Sequence, residues 1–324
     1  MSRLREKLGH TLALSQSIGL PAALSLVARR ALGVSRPVTV RCGAHRLTVR
    51  PCDSDPFVLA QIFTAREYDA HPFWMTRLNA VASEVAGAGG VPVIIDAGAN
   101  VGYSALCLAE HFPDAVILAV EPDPACVQLI ERNCAHHPRI RPVHAALWSH
   151  GDGVDLSAGD EGSWANRVSG RGATPSVTLE TLLDGIAGAV PFIVKLDIEG
   201  AESEVCQASP EAIASFACIM IEPHDWMLPG SGGLAPLYDA VAGKKMDTLI
   251  RDETLMLFDC SMSEARSAMP SSRILAPSVT SENTRRPTIS SSLILRGVMP
   301  WSLRCFSIIS STALDGMASR LPGW

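Results

Sequence analysis

Four groups of side chains have types and spacings that could do chemistry. The first is Asp96-Ala97-Gly98-Ala99-Asn100-Val101-Gly102, which follows the apolar run Val93-Ile94-Ile95. A strand that ends in a carboxylate and turns through Gly98 allows close approach of a ligand to the backbone. Gly102 then opens a helix whose N-terminal dipole faces the loop. The second is Glu121, which closes Ile117-Leu118-Ala119-Val120, lies 25 residues past Asp96 and is followed by Pro122-Asp123. The third is Lys195-Leu196-Asp197-Ile198-Glu199-Gly200-Ala201-Glu202, at the end of the run Phe192-Ile193-Val194. On an extended strand Lys195 and Asp197 share one face, so a buried strand carries charge at its carboxyl tip and must pair or solvate it. The fourth is His224, just past Ile219-Met220-Ile221-Glu222. Its intrinsic pKa suits base chemistry near neutrality, although a lone loop histidine is ordinarily structural.

The glycine turn could serve two cofactor classes. A dinucleotide fingerprint needs G-x-G-x-x-G, and Asn100 and Tyr103 occupy the second and third glycine positions, which excludes a pyrophosphate. A carboxylate at the second strand tip can instead accept both hydroxyls of a ribose, and one at the first can favour a cationic amino-acid group. Both suit S-adenosylmethionine, which carries a sulfonium and an ammonium and no phosphate. Glu121 could also be a helix N-terminal acid, a task Asp123 can perform as well. For an alcohol acceptor, the proton-accepting candidates are Asp197, Glu199 and His224, with Lys195 beside them. No metal site is predicted: the hard ligands in reach are limited to Asp197, Glu199 and Glu222.

These groups need a scaffold, and the apolar pattern supplies one. Continuous apolar runs at Val91 to Asp96, Ala115 to Glu121, Ile140 to Leu147, Phe192 to Asp197 and Ala217 to Glu222 predict strands. Helices are expected near 102–111, 123–136, 201–208 and 234–242. Runs apolar on both faces belong to parallel strands buried between helices, which predicts a doubly wound α/β domain over 91–260. Asp252-Glu253 is expected to turn an antiparallel hairpin at the sheet edge. Upstream, residues 1–35 read as a basic helical segment broken at Pro21. Residues 36–90 read as a hairpin around Gly43-Ala44 followed by two helices and a glycine-rich turn. The glycine-rich stretch from Asp152 to Pro175, with Trp164, Asn166, Arg167 and Arg171, is expected to be a mobile cover over the site. Residues 261–324 hold 15 serines and no lysine and are expected to be disordered.

The net charge of -6 hides an uneven distribution. Residues 1–50 carry nine basic and one acidic side chain, residues 51–260 carry 11 and 29, and residues 261–324 carry seven and three. The acidic centre excludes nucleic acid as a partner of the fold and suits a cationic cofactor, while the basic N-terminal segment suits peripheral contact with an anionic membrane. Nine cysteines without a C-x-x-C pair predict reduced, mostly buried thiols in a cytoplasmic protein.

The motifs at Asp96 to Gly102, at Val120-Glu121-Pro122-Asp123 and above all at Lys195 to Glu202 resemble methyltransferases of the FkbM type, a class I S-adenosylmethionine-dependent family. The resemblance covers about residues 53–259, including Asp55-Pro56-Phe57 to Glu67-Tyr68, Ala145-Ala146-Leu147 and Met220 to His224. It implies a Rossmann-like, mostly parallel seven-stranded sheet with a reversed last strand. It also implies methylation of an oxygen on a sugar, a glycan or lipid, or a natural product. Asp96, Gly98, Asn100, Gly102, Glu121, Asp123 and Ala146 become the cofactor-binding candidates. Two departures stand out: Glu180 replaces a usual aspartate, and Gly243-Lys244-Lys245-Met246 replaces a glycine-aromatic step. The competing expectation is an inactive Rossmann-like binding module tethered by its basic N-terminus.

Overall fold

The computed structural model describes residues 2–157, 167–225 and 229–263, with the side chains of 2–8, 167–169 and 262–263 left aside. The tail expected to be disordered therefore lies outside the described residues from 264 onward, as do Trp164 and Asn166. In chain order the elements are α1 Ser2–Ile18, α2 Leu20–Ala31, β1 Val38–Cys42, β2 His45–Val49, α3 Asp55–Phe63, α4 Pro72–Gly87, β3 Val91–Ala97, α5 Tyr103–His111, β4 Val116–Glu121, α6 Pro124–Asn133 and β5 Ile140–His144. There follow β6 Ala146–Leu147, β7 Val154–Ser157, β8 Arg167–Thr174, β9 Ser176–Val177, α7 Leu179–Asp184, β10 Ala189–Leu196, α8 Glu202–Ala208, α9 Pro210–Ser215, β11 Cys218–Ile221, α10 Ala235–Ala240, β12 Met246–Arg251 and β13 Thr254–Asp259.

Seven strands form one mixed sheet in the order β12-β13-β11-β10-β3-β4-β5. Only β13 runs against its neighbours, pairing antiparallel with both β11 and β12, so the mostly parallel sheet with one reversed strand is present as expected. Every residue of β4, β11 and β13 is buried. Side chains alternate between two cores: Ile94, Ile117, Ile193 and Met220 face one, while Val93, Leu118, Val194 and Ile219 face the other. The first core also takes in Leu14, Leu26, Leu47, Leu59 and Leu78, so the segments preceding the sheet cover one of its faces. Trp74 of α4 stacks on Phe258 of β13 with ring centroids 4.6 Å apart.

Several local expectations change. The N-terminal helix breaks at Gly19, whose φ of 81° suits glycine, while Pro21 sits in the first turn of α2 where its missing N–H costs nothing. The apolar run from Ile140 divides: β5 pairs with β4, whereas β6 pairs with β9, so the register ends at His144. The flanks of the expected cover form an antiparallel β7–β8 ladder. Helices α7 and α9 lie outside the expected ones; Thr178 caps α7 by accepting from Thr181 N. Among the eight described cysteines, six are buried.

Candidate active site

The chain leaves β5 at the sheet edge and returns at β10 beside β3, so strand order reverses between β3 and β10. Open α/β sheets hold ligands in the crevice outside such a reversal. A cavity opens there, lined by Gly98, Ala99, Asn100 and Glu121 on one side and by Asp197, Glu199, Glu222 and Glu253 on the other. Ala146, Lys195, Gln61 and Tyr68 complete much of its wall.

The glycine turn is held from below. Gly98 N and Ala99 N both donate to Val120 O, at 3.0 and 3.1 Å. Gly98 has φ 74°, and a Cβ placed on it would lie 1.8 Å from the carbonyl oxygen of Asp197. Glycine is thus required by the close approach of the β3 and β10 tips. Gly102 has φ 85° and caps α5 against Cys134. Tyr103, at the third position of the failed dinucleotide pattern, is buried and donates its hydroxyl to Thr48 O at 2.8 Å, which ties the turn to the β1–β2 hairpin.

Glu121 is nearly buried, and its two oxygens accept from Asn100 N and Asp123 N, each at 2.9 Å. Burial pushes its carboxyl up to about 8 despite these donors. Asp123 caps α6 by accepting from Ala125 N at 2.8 Å. The two roles open to Glu121 are thus divided between the acids: Asp123 serves the helix, and Glu121 faces the cavity. Asp96 is fully buried and lies behind the lining; Ser104 Oγ donates to its Oδ2 at 2.6 Å, and Lys195 Nζ stands 3.2 Å from its Oδ1.

Lys195 links the elements. Its Nζ donates to Ala97 O and Gly98 O at 3.3 and 3.1 Å and lies 3.2 Å from both Asp96 and Asp197. Burial works to discharge it, but Asp197 and Asp96 overcome that and raise its pKa above the usual lysine range. Its ammonium therefore stays charged at neutral pH.

On the opposite wall, Glu202 Oε1 accepts from Ile198 N at 3.0 Å and stands 2.8 Å from His224 Nδ1, while His224 Nε2 lies 3.5 Å from Glu199 and 3.7 Å from Glu222. Burial opposes charge on His224, yet Glu202 and the neighbouring acids raise it to about 9. The imidazole therefore keeps its proton at pH 7 and acts as a counter-charge to the acids. Glu199 has φ 55°, a conformation rare outside glycine.

The structure thus gathers Gly98, Asn100, Glu121, Ala146, Lys195, Asp197 and Glu199 at the cavity, with His224 against its acidic wall, and sets Asp96, Gly102 and Asp123 in supporting positions. Glu67, Tyr68, Gln61 and Glu253 were not singled out as site residues; they come from α3, the loop after it and the β12–β13 turn, where no strand-tip signal marks them. Glu67 is fully buried, and burial raises its carboxyl to about 7, with Thr254 holding it down and Asp197 pushing it up. The folded value lies above the unfolded 4.5, so the fold binds more protons and loses stability as pH rises from about 4.5 to 7. Glu67→Gln is expected to stabilise by about 2 kcal/mol more at pH 8 than at pH 5. Equal shifts at both pH values would refute the burial cost.

The chain is similar in part to several known proteins. Methyltransferase sdnD of Sordaria araneosa is 34% identical over 89 residues, which cover 28% of this chain and 29% of that protein; the match spans under a third of the relative's length. Among solved structures, precorrin-6y C5,15-methyltransferase from Geobacter metallireducens aligns with a TM-score of 0.30 at 12% identity, covering 56% of this chain and 84% of that one. M. jannaschii TYW2, solved in complex with AdoMet, aligns with a TM-score of 0.31 at 10% identity, covering 68% and 84%. The family description that matches is Methyltransferase FkbM domain, over residues 96–253. The segment from the Asp96 turn to the β12–β13 turn is thus similar to the FkbM methyltransferase domain.

Proposed function

We propose that this protein is an S-adenosylmethionine-dependent methyltransferase that transfers the methyl group to a hydroxyl oxygen of a sugar, a glycan or lipid, or a natural product. The observation that carries this is the charge of the cavity. Glu121, Asp197, Glu199, Glu222 and Glu253 line it, and Lys195, the cation among its lining residues, is committed to Asp96, Asp197 and two backbone carbonyls. Burial leaves Glu121 and Glu222 largely protonated at neutral pH, but the lining still presents carboxyl oxygens and no uncommitted cation, which disfavours a phosphate and suits a sulfonium and an ammonium. Glu121, held by two backbone N–H groups, has the fixed orientation that two ribose hydroxyls need.

In the step itself, a carboxylate at Asp197 or Glu199 takes the acceptor's hydroxyl proton. When bound, the sulfonium would supply the methyl group: the acceptor oxygen would gain the C–O bond as the methyl–sulfur bond breaks, its electron pair remaining on sulfur. The products are the methyl ether, neutral S-adenosylhomocysteine and one proton released to solvent. The protein's main contribution is alignment of donor and acceptor. Calorimetry is expected to detect S-adenosylhomocysteine binding, and Glu121→Ala to weaken it by about 1.5–3 kcal/mol, the range for a hydrogen bond to a charged group. No binding to the intact chain would refute the proposal. Binding without turnover on any hydroxylated acceptor would favour the inactive binding module.

We further propose contact with an anionic membrane through α2. Ala23 and Leu26 are buried, while Leu20, Leu24, Val27 and Leu32 form an exposed apolar stripe that ends beside Arg29 and Arg30. No described helix is long and apolar enough to cross a membrane. A partly inserted stripe flanked by cations fits an interfacial helix. Phosphatidylserine vesicles should sediment the chain and release it on Leu24→Glu with Leu32→Glu; sedimentation unaffected by that pair would refute the contact.

A further inference from the structure

The geometry points to a divalent metal site on the acidic wall, formed by Asp197, Glu199 and His224 with Glu222 beside them. One ligand atom from each of the first three lies within 4.8 Å of the others. The 3.5 Å between His224 Nε2 and Glu199 and the 3.7 Å to Glu222 are close to the separations of about 3.0–3.4 Å that ligands around one ion adopt at bond lengths near 2.1 Å. The site is built into the sheet: Glu222 N donates to Leu196 O at 2.9 Å, which fixes the tips of β10 and β11 side by side.

Two further observations separate this cluster from a solvated patch of acids. Metal-bound histidines usually have their second ring nitrogen held by a carboxylate, and Glu202, itself fixed by Ile198 N, stands 2.8 Å from Nδ1, so that Nε2 points at Glu199. Independently, Glu67 is fully buried behind the wall. Its Oε2 finds no hydrogen-bond donor among the described residues, although its carboxyl is close enough to Asp197 and Glu222 for their charges to repel it. A buried carboxyl oxygen without a donor is costly, and Lys195, the cation already acting on Glu67, is committed to Asp96, Asp197 and two backbone carbonyls.

Two carboxylates and an imidazole suit Mn2+ or Zn2+ better than the all-oxygen shell preferred by Mg2+, and binding would release the Nε2 proton. The use of such an ion in catalysis rests on the methyltransferase proposal: it would hold the acceptor hydroxyl and lower its pKa, replacing direct proton acceptance by Asp197 or Glu199. Binding itself does not depend on that proposal.

The test is titration of the full chain with Mn2+ alone, following loss of the free-ion electron paramagnetic resonance signal. S-adenosylhomocysteine binding is measured separately on the same wild-type sample. The wild type is expected to sequester one Mn2+, and Glu199→Gln and His224→Gln each to weaken this by about tenfold or more. If His224→Gln does not fold, Glu199→Gln at the cavity surface decides the matter alone. A wild type that leaves Mn2+ free, or variants that bind it as tightly as wild type, would overturn the site. Mn2+ binding without S-adenosylhomocysteine binding would uphold the site and remove the methyltransferase proposal instead.

Discussion

Lys195→Met is expected to lower stability by about 3–5 kcal/mol, the cost of removing one partner from a buried ion pair. Methionine fills the stem of the lysine but leaves Asp96, which is fully buried, with Ser104 as its remaining hydrogen-bond donor. It also removes the ammonium donor from Gly98 O and Ala97 O, the carbonyls that shape the glycine turn, of which Ala97 O keeps Asp197 N. At this size the loss corresponds to a melting temperature lower by roughly 10 °C. A melting curve unchanged within a degree or two would show that the three-way contact among β3, the turn and β10 does not depend on the ammonium.

Gly98→Ala is expected to cost about 3–5 kcal/mol, from overpacking together with a left-handed backbone. The added methyl would stand 1.8 Å from the Asp197 carbonyl oxygen, which belongs to backbone and cannot rotate away. Either β3 and β10 separate at their tips or the turn is lost, and both outcomes displace the Asn100 and Glu121 contacts on the cavity side. Thermal melting should show the destabilisation, and calorimetry the loss of S-adenosylhomocysteine binding. A variant with wild-type melting would mean that the strand tips are looser than the geometry indicates. The double variant Gly98→Ala with Lys195→Met should fall short of the summed effects, because both act on the same contact.

The strands, the turn and Glu121 were legible because each is a local event. Buried parallel strands announce themselves as apolar runs, a carboxylate that ends such a run must lie at its carboxyl tip, and Gly98 needs only its neighbours to mark a turn. The Lys195 to Glu202 segment was legible for the same reason, as charges at the end of an apolar run.

What each charge faces was not local. The sequence presented Asp96 and Glu121 as two tip carboxylates that both meet the cofactor. The structure buries Asp96 behind Lys195 and leaves Glu121 on the cavity, because β10 inserts beside β3 and its lysine reaches across to the neighbouring tip. It presented His224 as a lone histidine; folding sets Glu202, 22 residues earlier in the chain, against its Nδ1.

Glu67, Tyr68 and Gln61 reach the site because the elements before the sheet cover one of its faces, a packing that no periodicity within those residues encodes. The sequence by itself determined the sheet, the position of the glycine turn and the acidic character of the centre, since these follow from short-range pattern and composition. Only the tertiary structure decided which acids are paired, which are buried and which meet a ligand, since those outcomes depend on charges brought within a few ångströms from distant parts of the chain.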